Sequence, residues 1–317
     1  MNDNERKSFK MTFPAPLKPG ATIGLICPSS PIRPEQKEAC VRFLESRGFR
    51  VKVAGDPCAS HAGYMCGGGE ERARLLEGLF SDPEVDAIFC ARGGDASGRC
   101  AEHLDPEVIR RHPKPLVGYS DITTYHLILD RLCGLGSYHG PMVSSNMIGS
   151  YHPEDERALM EALTATEPFP FRQPEGLPLT ALHGGRAEGT VTGGNLSLLC
   201  ASIGTPWELE TRGRVLFIEE VHESCPRLDR MVWQLRSSGK LKACAGILLG
   251  QFTECDNTYD PAYTWLDIFR EALADLPIPV LYGLESGHGD RMVTIPLGAR
   301  CVMDADRGTV VFDKYAG

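Results

Sequence analysis

No run of lysine or arginine occurs anywhere in this 317-residue chain, whose formal net charge is -9. A nucleic-acid backbone or an anionic membrane surface needs a concentrated basic patch, so neither is an expected partner. No apolar stretch reaches the roughly 20 residues that cross a bilayer. Met1 to Lys10 is polar and charged, and the MTFPAPLKPG that follows is interrupted by prolines, which leaves no apolar core for an export signal. The expected location is the cytoplasm. Twelve cysteines are present, but there is no Cys-x-x-Cys and no Cys/His cluster with zinc-finger spacing. Cys27, Cys90, Cys200, Cys244 and Cys301 lie inside apolar runs, where a thiol behaves as a small buried hydrophobe. Reduced, structural thiols and no metal are expected. Neither G-x-G-x-x-G nor G-x-x-x-x-G-K-[ST] occurs, so the nucleotide-binding reading is weak. No repeat of solenoid period is visible.

What is present is an ordinary soluble composition, 42% hydrophobic and 24% charged, in a chain long enough for two domains. The first half alternates short apolar runs with amphipathic ones. ATIGLIC (21–27), FRVKVA, VDAIFCA (85–91) and PLVGYS (115–120) read as strands. PEQKEACVRFLESRG (34–48), GEERARLLEGLFSD (69–82) and ITTYHLILDRLCG read as helices. This alternation predicts an α/β fold: an N-terminal parallel sheet with helices on both faces over 1–165. TEPFPFRQPEGLPL (166–179) has four prolines and no period, which places a linker at 166–186. Residues 187–317 read as a second, mixed α/β domain, with strands at RVLFIEEV (214–221) and AGILLGQF, helices at PRLDRMVWQLRSSG (226–239) and YTWLDIFREALADL, and short strands near the end.

Ser120 follows an apolar strand and precedes a helix, the arrangement of a nucleophile elbow at the carboxyl end of a parallel strand. The backbone N–H of Asp121 would then face an oxyanion formed on the attacked carbonyl. The second glycine of G-x-S-x-G is missing, Ile122 standing in its place, and Ser120 or Asp121 as a plain helix cap stays open. Glu219 and Glu220 end a strand on opposite faces, so at most one looks into a shared cleft; a solvated strand end is the simpler alternative. His288 lies between two strands with Gly287 and Gly289 beside it, room for close approach to a partner or simply a surface turn. CARGGDASGR (90–99) and GTVTGGNLSLL (189–199) are glycine-rich turns after strands, able in principle to cradle an anion with backbone amides.

PLVGYSDIT, YHGPMV (138–143), GGNLSLLCASIGTPW, FIEEVHESCPRLDRM (217–231) and GHGDRMVTIPLGA (287–299) together resemble the motifs of the LD-carboxypeptidase family, in the family's order and over nearly the whole chain. The resemblance implies a serine carboxypeptidase with a Ser–His–Glu triad at Ser120, His288 and Glu219 and no cofactor. It places oxyanion donors at Asp121 and in the Arg-Gly-Gly turn, at Gly94 or else Gly93. The implied substrate is a murein tetrapeptide, cleaved at the L,D bond before terminal D-alanine, which fits cell-wall recycling. Arg92, with Gly93, and Arg291 are candidates for binding the substrate and its free carboxylate. Relatives usually continue Arg-Gly-Gly with Tyr-Gly; here Asp95, Ala96, Ser97 and Gly98 follow. Two other readings stay open: a related serine hydrolase acting on a microcin C-type peptide–nucleotide, and a noncatalytic α/β ligand-binding protein. The oligomeric state is left open between monomer and homodimer.

Overall fold

A computed structural model describes residues 10–149 and 151–315. The chain opens with β1 (Thr22–Ile26), α1 (Pro34–Ser46), β2 (Arg50–Val53), α2 (Gly69–Ser81), β3 (Ala87–Cys90), α3 (Ser97–Ala101), α4 (Pro106–Arg111), β4 (Leu116–Gly118), α5 (Thr123–Ile128) and β5 (Ser137–His139). α1 starts with proline in its first turn and buries Cys40 and Leu44 on one face. β1, β3 and β4 are buried along their whole length, as the central strands of a sheet covered on both faces must be. The stretch ITTYHLILDRLCG is helical but changes winding: a 3-10 turn at Ser120–Ile122, α5, then a π turn at Leu129–Cys133.

β1 to β5 pair in parallel in the order β2-β1-β3-β4-β5. The direction of the chain's progress across the sheet reverses between β1 and β3, and in such sheets ligands bind beyond the carboxyl ends at that reversal.

After α6 (Pro153–Thr164) come β6 (Phe169–Pro170) and β7 (Thr180–His183), which form the two opposite edges of a second, eight-stranded sheet. The 166–186 segment therefore crosses that sheet and contributes to it while connecting the halves. Four prolines hide this: β6 is two residues long with Pro170 on an edge strand, the place where a missing N–H is tolerated. Then follow β8 (Arg186–Asn195), α7 (Leu196–Ala201), β9 (Val215–Val221), α8 (Cys225–Ser237), α9 (Lys240–Ala243), β10 (Gly246–Thr253), α10 (Trp265–Leu273) and β11 (Val280–Tyr282). β8 to β11 are mutually parallel in chain order.

The chain then returns. β12 (Ile295–Leu297) adds antiparallel to β5 and completes the first sheet, before β13 (Arg300–Asp304) and β14 (Thr309–Asp313) finish the second. One apolar core cluster runs from Leu25 and Val117 through Tyr138 and Ile295 to Phe217 and Leu248, so both sheets share it. The twelve cysteines are all free, and burial pushes the Cys40 and Cys100 thiols up to about 11, where they stay protonated. Among the described residues no helix is long and apolar enough to cross a membrane, and no group of three or more His, Cys, Asp or Glu is placed to hold a metal ion.

Candidate active site

Ser120 stands two residues beyond β4 with φ +65, a left-handed conformation that a non-glycine residue adopts only under constraint from its surroundings. The constraint is visible on both sides. Ile122 packs where a Cβ at Gly118 would be, 3.0 Å from its Cγ1, so the elbow needs its first glycine and fills the second glycine's position with an apolar side chain. Behind it, His126 Nε2–H donates to the Gly118 carbonyl at 2.8 Å while Nδ1 faces the Ser137 hydroxyl at 2.8 Å. Burial pushes this imidazole down to about 4, so it stays neutral and acts as a fixed strut.

The turn after β3 lies against Ser120. A Cβ on Gly93 would sit 3.0 Å from Ser120 Cβ and 3.2 Å from Oγ. Gly94, at φ +118, backs onto Ser30 so closely that any Cβ would collide with the Ser30 side chain. Ser30 holds the turn from the loop after β1: its N–H donates to Gly93 O at 3.1 Å, and its Oγ accepts the Asp95 N–H at 3.2 Å. These loops form the two walls of the β1/β3 crevice.

The second sheet supplies the other groups, again from carboxyl ends of parallel strands. Glu219, near the end of β9 and fully buried, receives the His288 Nδ1–H on Oε2 at 2.7 Å. Gly287, at φ +143, permits this approach, since a Cβ there would lie 3.1 Å from that oxygen. Burial raises the Glu219 carboxyl, opposed by the adjacent imidazole. Burial alone would lower His288, but the Glu219 carboxylate outweighs it and the imidazole is raised above its ordinary range. With Nδ1 engaged, Nε2 is the nitrogen left for other chemistry. The ring meets Tyr119, the residue before Ser120, edge-on at 4.8 Å. The His288–Glu219 pair thus lies against the residue that immediately precedes the strained Ser120.

Residues 23–140 match the LD-carboxypeptidase N-terminal domain and residues 188–303 the LD-carboxypeptidase C-terminal domain. The chain belongs to the LD-carboxypeptidase family. As an LD-carboxypeptidase it is 38% identical to the probable murein peptide carboxypeptidase of Bacillus subtilis, over 96% of each chain. It is 31% identical to the murein tetrapeptide carboxypeptidase of Pseudomonas aeruginosa, over 90% of this chain and 94% of that one. Among solved structures, the muramoyltetrapeptide carboxypeptidase of Oxalobacter formigenes matches with TM-score 0.81 and 29% identity, covering 92% of this chain and 98% of that one. The microcin C7 self-immunity protein MccF matches with TM-score 0.87 and 26% identity over 95% and 98%; its Escherichia coli sequence aligns at 27% identity over 95% of this chain and 96% of that one.

In this LD-carboxypeptidase the remaining sequence candidates separate. Glu220 points away from Glu219 and is engaged at the start of α7, accepting from Asn195 Nδ2 at 2.7 Å and from the Ser197 N–H and hydroxyl at 2.8 and 2.7 Å. The Gly193-Gly194-Asn195 segment is the end of β8, paired with β9, and not the turn expected from its glycines; it packs against the helix that follows Ser120, with the Asn195 N–H donating to Thr123 Oγ1 at 3.0 Å. It joins the two sheets and is not an open anion cradle. Arg291 forms a fork with Asp155 at 2.8–3.2 Å and reaches Glu154 at 2.9 Å, tying the His288 loop to α6 and leaving it a poor carboxylate receptor. Arg92 is exposed, with Nη1–H donating to Pro31 O at 3.2 Å.

Two residues escaped the sequence reading. Gln251, at the end of β10, accepts the Gly289 N–H at 2.7 Å and donates to Glu285 at 2.7 Å, gripping the histidine loop. Ser30 grips the glycine turn. Neither has a local signature: a glutamine after a strand and a serine in Pro-Ser-Ser-Pro acquire their roles only from what folds against them.

Proposed function

We propose that the protein is a serine-type LD-carboxypeptidase that releases terminal D-alanine from murein tetrapeptides in the cytoplasm, as a step of cell-wall recycling. The nucleophile Ser120 belongs to 1–165, and Glu219 and His288 to 187–317, with 166–186 joining them. His288 Nε2 takes the Ser120 proton as Oγ attacks the carbonyl of the L-configured diamino acid. Glu219 fixes the Nδ1–H tautomer and stabilises the imidazolium. The N–H groups of Asp121 and Gly94 receive the oxyanion. Collapse breaks the C–N bond, and His288 returns the proton to the leaving D-alanine amine. Water, deprotonated by the same imidazole, then releases the acyl group.

The observation that carries this reading is the 2.7 Å bond from His288 to a fully buried Glu219, beside a serine held at φ +65. The 38% identity to a murein peptide carboxypeptidase favours the substrate. The deciding experiment incubates the purified protein with muropeptide tetrapeptide and pentapeptide. D-alanine from the tetrapeptide, with the pentapeptide's D,D bond left intact, is the expected result. The 0.87 TM-score to MccF favours one competing reading, and turnover only of an aminoacyl-nucleotide conjugate would establish it instead.

A further inference from the structure

Arg72, on α2, is only 1% exposed, yet no carboxylate pairs with it directly among the described residues. Its Nη1–H donates to Pro28 O at 2.8 Å, in the loop after β1, and its Nη2–H to Ala96 O at 3.1 Å, in the turn after β3. Asp121, 3% exposed, accepts the Ser97 N–H on Oδ2 at 2.9 Å and the Ser97 hydroxyl on Oδ1 at 2.7 Å. The Ser97 oxygen also lies 2.7 Å from the Thr124 hydroxyl.

The Ala96 carbonyl and the Ser97 N–H are the two ends of one peptide group. A buried guanidinium therefore holds its oxygen and a buried carboxylate its nitrogen, each charge on the end of the peptide dipole that suits it. A buried charge without compensation is unfavourable, and here the peptide links two opposite ones. Ala96 itself is held at φ +75, a left-handed conformation that alanine does not choose unaided.

We propose that Arg72, Ser97 and Asp121 are positioning residues for the oxyanion site, a charge pair joined through the Ala96–Ser97 peptide that sets the Gly94 amide against the nucleophile. This rests on the reading of Gly94 and Asp121 as oxyanion donors. Asp121 then has two functions: its backbone N–H is one donor, and its side chain sets the distance to the turn carrying the other. Arg72 holds both walls of the β1/β3 crevice through Pro28 and Ala96.

The test measures D-alanine release from the tetrapeptide by folded Arg72→Met, Arg72→Lys, Asp121→Asn, Ser97→Ala and the Arg72→Met/Asp121→Asn double variant. Misplacing a catalytic group by about 1 Å can cost on the order of 10² in rate. Arg72→Met and Asp121→Asn should each lower kcat about 10- to 100-fold with KM within about twofold. The double variant should be much less impaired than the product of the singles, because both act on one peptide. Arg72→Lys should recover most of the loss. Affinity for a boronic-acid peptide analogue, which mimics the tetrahedral adduct, should fall in step with kcat, while affinity for the tripeptide product stays level. Wild-type kcat in the folded variants, a change in KM alone, or fully multiplicative losses would overturn the inference. If Arg72→Met does not fold, Asp121→Asn and Ser97→Ala decide by the same criteria. The underlying reading fails separately, through a wild type that releases no D-alanine or an active Ser120→Ala.

Discussion

Ser120 and His288 reach the same crevice by different means. Ser120 is placed by its immediate neighbours: a buried three-residue strand, a glycine that admits Ile122, and a helical turn that begins at the serine itself. His288 hangs in an irregular loop, 283–294, and is placed by residues far away in sequence: Glu219 on its ring, Gln251 on the next backbone amide, Tyr119 against its edge, and Asp155 on Arg291. The proposed nucleophile is thus encoded locally, the proposed base by tertiary contacts. A local device tolerates distant changes; a loop held by several separate ties weakens by degrees.

Removing the reacting groups should abolish this difference. Ser120→Ala and His288→Ala are each expected to lower kcat at least about 10³-fold in a folded protein, read by D-alanine release and circular dichroism. Next, Glu219→Gln should lower kcat about 10³-fold and shift the pH profile. His288 must be neutral to act as base, so kcat/KM rises with pH as the imidazole loses its proton. Because the Glu219 carboxylate holds that pKa up, its removal should move the acid limb to lower pH; an unmoved limb would mean that the carboxylate does not govern the imidazole. Gly94→Val, which forces a side chain into Ser30 and disfavours φ +118, should lower kcat about 10²-fold, comparable to losing one oxyanion donor. Gln251→Ala tests the loop's ties and should lower kcat only about tenfold, since Glu219, Tyr119 and Arg291 remain. The smallest effect is expected for Asp95→Ala, whose exposed side chain should alter KM or substrate preference and leave kcat nearly unchanged. A kcat loss for Asp95→Ala as large as that for Ser120→Ala would add a member to the catalytic set.

The contrast also explains what could be read from the sequence. The central strands of the first half announce themselves as short apolar runs buried along their whole length, and the helices by a period that buries one face against the core. The elbow was legible for the same reason, even without its second glycine. The return of β12 to β5 was not, since three apolar residues after a loop carry no sign of which sheet they will join. Nor were β6 and β7, which proline-rich composition disguises. The residues that hold the site together, Ser30, Arg72, Ser97 and Gln251, are ordinary in their local sequence. Their meaning lies in partners tens of residues away. Arg72 in particular looks like one more charge on an amphipathic helix, and only its burial distinguishes it.

The late return of β12 has a consequence for how the protein is made. By the time residue 139 is synthesised all five parallel strands of the first sheet exist, but the outer side of β5 stays open until 295–297 arrive. An unpaired, apolar strand edge is a template for pairing with other chains. A growing polypeptide therefore carries that hazard through about half of its synthesis, and it ends only after Ser120, Glu219 and His288 have all been added. The strand that protects the edge directly follows the loop bearing His288. Completion of the first sheet and delivery of the proposed base thus belong to one late event in the birth of the molecule, and a partly made chain carries the proposed nucleophile without its partner histidine.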